Sequence, residues 1–266
     1  MTDSVELPRV ARLGESLRVA AVLVAAVLLL APVAGAREAL IPRSELPGLG
    51  AADSRQPVAV DAMPWSALGR VQTELGGRCT GTLIGPRLVL TAAHCLVARG
   101  ANGWVLPSSV HFLLRYRQGG WTGEARAVGF VTGPGFDPAE RGPPGADWAI
   151  LTLAAPLAGT IPLPLLSADP RPGTALMLGG YQQDRSEILL ADTSCHLLGR
   201  AGREEGALLI HDCAATRGSS GGPLLARATD GTWAVAGVAV AVARQRAQGV
   251  AVPAGVLRQS IARTVE

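Results

Sequence analysis

The sequence has no lysine and few aromatic residues. All 24 basic side chains of the 266-residue chain are arginines, and only 4% of its residues are Phe, Trp or Tyr. The formal net charge of +3 is small for this length, and no basic stripe with interleaved aromatic residues occurs. Nucleic-acid-binding surfaces usually show such a stripe. We therefore expect no nucleic-acid partner.

The sequence also lacks an apolar run of the length that a membrane-spanning helix needs, about 20 residues. The most apolar stretch, Val19–Leu30, has 12 residues, and the uncharged run Val19–Ala36 reaches 18 only with its Gly and Pro. Arginines precede this run, and Ala34-Gly35-Ala36 has the small-x-small pattern of a cleavage site. We predict a signal peptide over residues 1–36 and a secreted or periplasmic protein. The alternative is an uncleaved anchor, which would add membrane contact.

Closely spaced cysteine pairs of the kind that bind zinc are absent, so we predict no metal. The four cysteines, Cys79, Cys95, Cys195 and Cys213, all follow the predicted signal peptide. An even number in an oxidising compartment favours two disulfides, for which three pairings are possible. The local pairing would close loops of 16 and 18 residues. Each of these two disulfides would stabilise the fold by about 3 kcal/mol.

Residues 37–56 are rich in Pro, Gly and charge and have no sustained periodicity, which predicts a flexible leader or propeptide. Residues 57–266 contain many short apolar segments bounded by Gly, Pro and Asp, a pattern that indicates an all-β sandwich or barrel. Two helical segments are predicted, a short turn from Ala92 into Leu96–Arg99 and a C-terminal helix over Ala254–Thr264. The predicted strands are Cys79–Ile84, Leu88–Ala92, Val110–Tyr116, Ala127–Val131, Trp148–Leu153, Ala175–Leu178, Ile188–Ala191, Ala207–Ile210 and Trp233–Val242.

The turn Gly218-Ser219-Ser220-Gly221-Gly222-Pro223 is the most informative stretch that the chain does contain. Glycine lets the backbone approach a reacting group closely, and such a turn can aim two N–H groups at a developing oxyanion. A flexible linker has a similar composition. The apolar runs on both sides, Ala207–Ile210 and Pro223–Leu225, favour a structured turn. We predict that Ser220 is a nucleophile.

A serine nucleophile needs a base, and the base needs an orienting partner. We predict that His94 is the base, because it follows an apolar strand within Thr91-Ala92-Ala93-His94-Cys95 and a neighbouring disulfide would fix its backbone. His111 lies in an alternating strand and is more typical of a surface or structural position. His196 and His211, beside the second cysteine pair, are open alternatives.

The predicted orienting acid is Asp147, which opens the apolar run Asp147–Leu153. A carboxylate buried there needs a donor, and the Nδ1–H of His94 would serve. The alternative for Asp147 is a turn-capping role. Asp137, in a Gly/Pro loop, is the reserve candidate.

These three motifs, in the order His, Asp, Ser, resemble the chymotrypsin-type serine peptidase family. Leu178-Gly179-Gly180-Tyr181 and His211-Asp212-Cys213 are similar to its bacterial glutamyl-endopeptidase-like secreted branch. The resemblance implies two packed antiparallel six-stranded β-barrels, about 57–155 and 156–250, with the active site in the cleft between them. It also implies an oxyanion hole from the N–H groups of Gly218 and Ser220, no cofactor, and a Cys79–Cys95 disulfide beside the histidine. We adopt the local pairing, Cys79–Cys95 and Cys195–Cys213.

Three positions depart from the family pattern. Ser219 stands where the family has an Asp that receives a freed N-terminal amine, so activation by that route is not expected. Ala214 stands where a preference for basic residues would place an Asp. The segment Val238–Val242 lacks the His that the family links to a preference for glutamate. We therefore expect a small or apolar substrate residue next to the cleaved bond.

The sequence therefore predicts an exported serine endopeptidase that acts on protein or peptide substrates through acyl transfer. One alternative is a catalytically silent relative that serves as a binding scaffold. A second is an esterase, which the missing strand–turn–helix context around Ser220 disfavours.

Overall fold

The computed structural model describes residues 41–98, 100–202 and 207–265. The predicted signal peptide lies outside this part of the chain. Among the described residues, no helix is both long and apolar enough to cross a membrane. The strands are β1 Gln56–Pro57, β2 Leu68–Thr73, β3 Arg78–Gly85, β4 Leu88–Thr91, β5 Val110–Leu114, β6 Gly123–Thr132, β7 Ala149–Leu153, β8 Ala175–Gln182, β9 Arg185–Ala201, β10 Leu208–His211, β11 Pro223–Arg227, β12 Trp233–Val242 and β13 Gly249–Pro253. The helix is α1 Ala254–Val265, and 3-10 turns cover Arg43–Glu45, Trp65–Ala67, Ala93–Leu96, Pro107–Ser109 and Pro144–Ala146.

Strands β2 to β7 form a closed antiparallel barrel in the order β2-β3-β4-β7-β6-β5. The barrel closes where β5 pairs with β2, which places Gly69 opposite Leu114. Strand side chains alternate between the two faces of a sheet. Along β5, Val110 and Phe112 are accordingly fully buried and His111 between them is partly exposed.

Strands β8 to β13 form the second ring in the order β8-β9-β10-β13-β12-β11, and β11 pairs back onto β8 with Leu224 opposite Leu178. The short strand β1 adds to β9 outside this ring. The predicted all-β fold of two six-stranded antiparallel barrels is therefore confirmed. The last strand of the second barrel ends at Pro253, slightly past the predicted limit near 250.

The predicted C-terminal helix is also confirmed, as α1. Its first residue, Ala254, and Leu257 are fully buried, and Val256 and Ile261 pack against the core. The other predicted helical segment is shorter than expected. Its 3-10 turn ends at Leu96, because Val97 is extended and pairs with Trp104.

Residues 41–56, the described part of the predicted flexible leader 37–56, contact the second barrel at several positions. Leu46 and Leu49 are buried in a small apolar cluster with Ala214. The Gly48 N–H donates to the Ala243 carbonyl at 2.7 Å. The segment therefore packs beside the loop that leads to Ser220.

Candidate active site

The His94 side chain is positioned by a short turn at the end of a barrel strand. The 3-10 turn Ala93–Leu96 follows β4, and the Cys79–Cys95 disulfide ties this turn to β3. The His94 N–H donates to Asp147 Oδ1 at 2.9 Å, and Nδ1 lies 2.7 Å from Asp147 Oδ2. A carboxylate can only accept, so the proton of the neutral ring lies on Nδ1 and Nε2 is free to act as a base.

Asp147 is only 5% exposed and follows the 3-10 turn Pro144–Ala146, just before β7. Both of its carboxylate oxygens accept from His94, one from the backbone and one from the ring. A buried carboxylate needs such donors, because an unpaired charge away from water is costly. The contact with His94, and not a turn-capping bond, is therefore the main use of this side chain.

The turn Gly218–Pro223 depends on two glycines that no other residue could replace without strain. Gly218 has a φ of +93°, and a Cβ there would lie 2.3 Å from the Tyr181 carbonyl oxygen. Gly221 has a φ of +80°, and its Cβ would lie 2.2 Å from Thr91 Oγ1. Glycine alone adopts such angles routinely and lets the backbone pack this closely.

Hydrogen bonding within the turn leaves two N–H groups free. The N–H groups of Ser219, Gly221 and Gly222 donate to the carbonyls of Thr216, Ala239 and Ser219. In the described part of the chain, the N–H groups of Gly218 and Ser220 donate to no residue. Unpaired neighbouring donors of this kind are what an oxyanion hole requires.

Ser219, which directly precedes Ser220, is buried and bonded within the turn. Its hydroxyl donates to the Thr216 carbonyl at 2.7 Å, and its N–H donates to the same oxygen at 3.1 Å. The neutral residue thus closes the turn locally and needs no charged partner.

Thr80 of β3 joins the first barrel to the turn. Its N–H donates to the Ser220 carbonyl at 2.9 Å, and its hydroxyl donates to the Gly218 carbonyl at 2.8 Å. The same hydroxyl accepts from the Tyr181 N–H at 2.9 Å. These bonds fix the position of Ser220 relative to strand β3, which also carries Cys79.

His94, Gly218 and Ser220 line one open pocket with a volume of about 300 Å³. Among the described residues, no hydrogen bond joins the Ser220 hydroxyl to His94. Catalytic hydrogen bonds are often long before substrate binds and shorten in the complex. The structure therefore brings all three predicted residues to one place, with the His–Asp contact formed.

A second pocket, of about 190 Å³, is also lined by Ser220. One wall is the segment Ala239–Val242 of β12, and the other is formed by Thr216, Arg217 and Ser219. The β12 segment contributes only Ala and Val side chains to this pocket, and Arg217 is the one charged residue in its lining.

Sequence reasoning missed a buried polar network behind the turn Gly218–Pro223. Gln182 Oε1 accepts from the Thr216 N–H at 2.7 Å and from Arg55 Nη1 at 2.8 Å. The Arg55 guanidinium is fully buried and pairs with Asp53 and Asp184 at 2.8 and 2.9 Å. No local pattern marks Arg55 as buried, since it lies in a polar segment and two of its partners, Gln182 and Asp184, are 127 and 129 positions away.

We expect Arg55→Met to lower the free energy of unfolding by about 3 kcal/mol, because it leaves two carboxylates and Gln182 without their shared donor. Urea unfolding would measure the change. Arg185→Met is the matched control, since Arg185 faces Asp53 and Asp184 at 3.6 and 3.8 Å but is 45% exposed. Exposed pairs contribute at most about 1 kcal/mol, so equal losses in the two variants would contradict the prediction.

The other candidate residues lie elsewhere. His111 contacts Glu124 at 2.8 Å, and Asp137 caps its own loop by accepting from the Ala139 N–H. His196 is exposed on β9. His211 is fully buried, burial lowers its pKa to about 4, and its Nδ1 accepts from the Cys213 N–H.

The ligand atoms of Cys79, His94 and Cys95 lie within 4.8 Å of one another. Both sulfur atoms belong to the Cys79–Cys95 disulfide, and metal binding by cysteine requires the thiolate. The second disulfide joins Cys195 to Cys213. Each of the four cysteines therefore belongs to a disulfide. The Cys79–Cys95 disulfide holds the turn that contains His94 against β3.

Two six-stranded barrels with a serine turn and a His–Asp pair beside it are the marks of a trypsin-like peptidase. The sequence model of the trypsin-like peptidase domain matches residues 79–238, more than half of the chain. The protein therefore belongs to the trypsin-like peptidase family. A comparison with curated proteins found no match.

Solved structures support the same fold. A Glu endopeptidase structure is similar with a TM-score of 0.68 and 18% identity, covering 82% of this chain and 100% of that one. Human heparin binding protein is similar with a TM-score of 0.60 and 18% identity, covering 80% of this chain and 96% of that one. At such identities the likeness concerns the fold.

Proposed function

We propose that the protein is an exported serine endopeptidase that cleaves peptide bonds through an acyl-enzyme intermediate. The observation that carries this proposal is the double contact between His94 and Asp147, in a pocket lined by Ser220 and next to two unpaired N–H groups. The two disulfides are typical of an oxidising compartment and support export.

In the proposed reaction, Ser220 Oγ attacks the carbonyl carbon of the scissile bond while His94 Nε2 takes the hydroxyl proton. The N–H groups of Gly218 and Ser220 donate to the oxyanion that forms. Collapse of this intermediate breaks the C–N bond, and His94 passes its proton to the departing amine. Water, activated by the same histidine, then hydrolyses the ester and restores Ser220.

Asp147 acts on the histidine and not on the substrate. Its carboxylate accepts the Nδ1 proton, which keeps Nε2 as the basic nitrogen and stabilises the imidazolium after proton transfer. The second bond, to the His94 N–H, fixes the backbone of the turn, so the ring position follows from two contacts.

We propose that the pocket beside Ala239–Val242 receives the side chain that precedes the cleaved bond. Its volume of about 190 Å³ and its Ala and Val wall suit a small or medium apolar side chain. The Ala239–Val242 wall carries no group that could pair with a charged side chain, and Arg217 is the one charged residue in the lining.

Labelling with a fluorophosphonate tests the proposal, because this reagent reacts with a serine that a neighbouring base has activated. We expect peptide mass spectrometry to locate one label, on Ser220, and Ser220→Ala to abolish it. Ser167→Ala is the control, since Ser167 is exposed and should neither react nor affect labelling. A folded wild-type protein that takes no label and does not cleave casein would instead fit a silent binding scaffold.

A further inference from the structure

The pocket that contains His94 and Ser220 is strongly basic. Arg78, Arg141 and Arg217 line it, and no Asp or Glu is among its lining residues. All three arginines are exposed to solvent. The pocket therefore combines the proposed reacting groups with three positive charges at its rim.

These charges are largely uncompensated within the described chain. The guanidinium groups of Arg141 and Arg217 make no hydrogen bond or ion pair with another described residue. Arg78 donates to Ser186 Oγ at 3.3 Å and lies within electrostatic reach of the exposed Glu187. A cleft lined by charge of one sign raises the local concentration of oppositely charged ligands.

The position of His94 shows which part of a peptide would enter this pocket. The general acid must reach the amine that departs, so it lies on the leaving side, C-terminal to the cleaved bond. His94 lines the basic pocket and is not part of the second, apolar pocket. Arg217 lines both pockets, as Ser220 does.

We infer that the protein selects peptides with acidic side chains at the first two positions after the cleaved bond. This inference rests on the proposed function, because the role of His94 defines the leaving side. Carboxylates suit the site since the planar guanidinium can donate two parallel bonds to one carboxylate. The selected substrate would then place an apolar residue before the bond and Asp or Glu after it.

Binding to the Ser220→Ala variant tests the inference without turnover. Two labelled decapeptides, identical except for Glu-Glu or Gln-Gln at the first two leaving-side positions, are titrated by fluorescence anisotropy. Each exposed charge pair contributes at most about fivefold, so we expect the Glu-Glu peptide to bind about tenfold tighter at low salt. The difference should shrink at about 0.5 M salt, because surface charges are screened.

Further substitutions in the Ser220→Ala background locate the effect. Arg217→Gln should reduce the preference to about threefold, and Arg78→Gln with Arg141→Gln in addition should abolish it. Arg171→Gln is the matched control, because it removes the same charge from an exposed position away from the pocket. It should leave the preference at about tenfold.

Equal binding of the two peptides would overturn the inference, as would a preference that survives the triple substitution. Cleavage of both peptides by the wild type, without any preference in binding, would leave the endopeptidase proposal intact. A preference for the acidic peptide without cleavage by the wild type would support the basic pocket and contradict the endopeptidase.

Discussion

Ser220→Ala should lower kcat for peptide cleavage by about 10⁶-fold. The variant removes the atom that forms the acyl bond, and neither Ser219, whose hydroxyl donates to Thr216, nor water can take its place in the proposed geometry. Residual cleavage would come from binding and from the two free N–H groups, which stay in place. Single-turnover kinetics on a peptide with an apolar residue before the bond would measure the loss.

The substitution should not disturb the fold. Ser220 is only partly buried, and the bond from Thr80 goes to its backbone carbonyl, which alanine keeps. Ser167→Ala serves as the control for activity, and an unchanged urea unfolding curve serves as the control for folding. If folded Ser220→Ala cleaved casein as fast as the wild type, the assignment of the nucleophile would be wrong.

Asp147→Asn should lower kcat at neutral pH by about 10⁴-fold. The amide oxygen of Asn can still accept from the His94 N–H, and its NH₂ group then faces Nδ1. Nδ1 must accept from this group, so the ring proton moves to Nε2 and the nitrogen that faces Ser220 is no longer a base. KM should change little, because Asp147 does not touch substrate in the proposed mechanism.

Asp137→Asn is the matched control, since it makes the same change of charge at an exposed position in the loop that leads to Asp147. It should keep kcat within about twofold of the wild type. The role of Asp147 would be refuted if Asp147→Asn kept kcat within tenfold, or if both variants lost activity equally. Fluorophosphonate labelling of Asp147→Asn should slow in parallel with kcat.

Local patterns were sufficient for much of the fold. Alternation and apolar runs predicted β5 and β12, and the apolar face predicted α1 to within one residue of its end. These elements bury their side chains with the period that their backbone imposes. The confirmed barrel architecture, however, came from the resemblance of three motifs and not from alternation, which left sandwich and barrel open.

The patterns failed at two positions where a buried residue is charged, and they also missed the apolar strand β13. Strand β2 was not predicted, because Arg70 interrupts its apolar residues. Arg70 is nevertheless only 5% exposed, since it stacks on the Tyr116 ring at 3.5 Å and pairs with Glu187. The burial of Arg55 was not predicted either, because a charged residue in a polar segment is expected to be exposed. Burial of these charges depends in part on partners distant in sequence, Gln182 and Asp184 for Arg55 and Glu187 for Arg70, which no local window contains.

The sequence by itself determined the fold class, the terminal helix and the short motifs that contain His94, Asp147 and Ser220. The tertiary structure decided which of these residues meet: His94 and Asp147 are 53 positions apart and lie within 2.7 Å. It also decided that Gln182 and Arg55 brace the turn and that three separate arginines surround one pocket. The physical reason is that propensity and periodicity act over a few residues, whereas contacts between side chains depend on strand register and barrel closure.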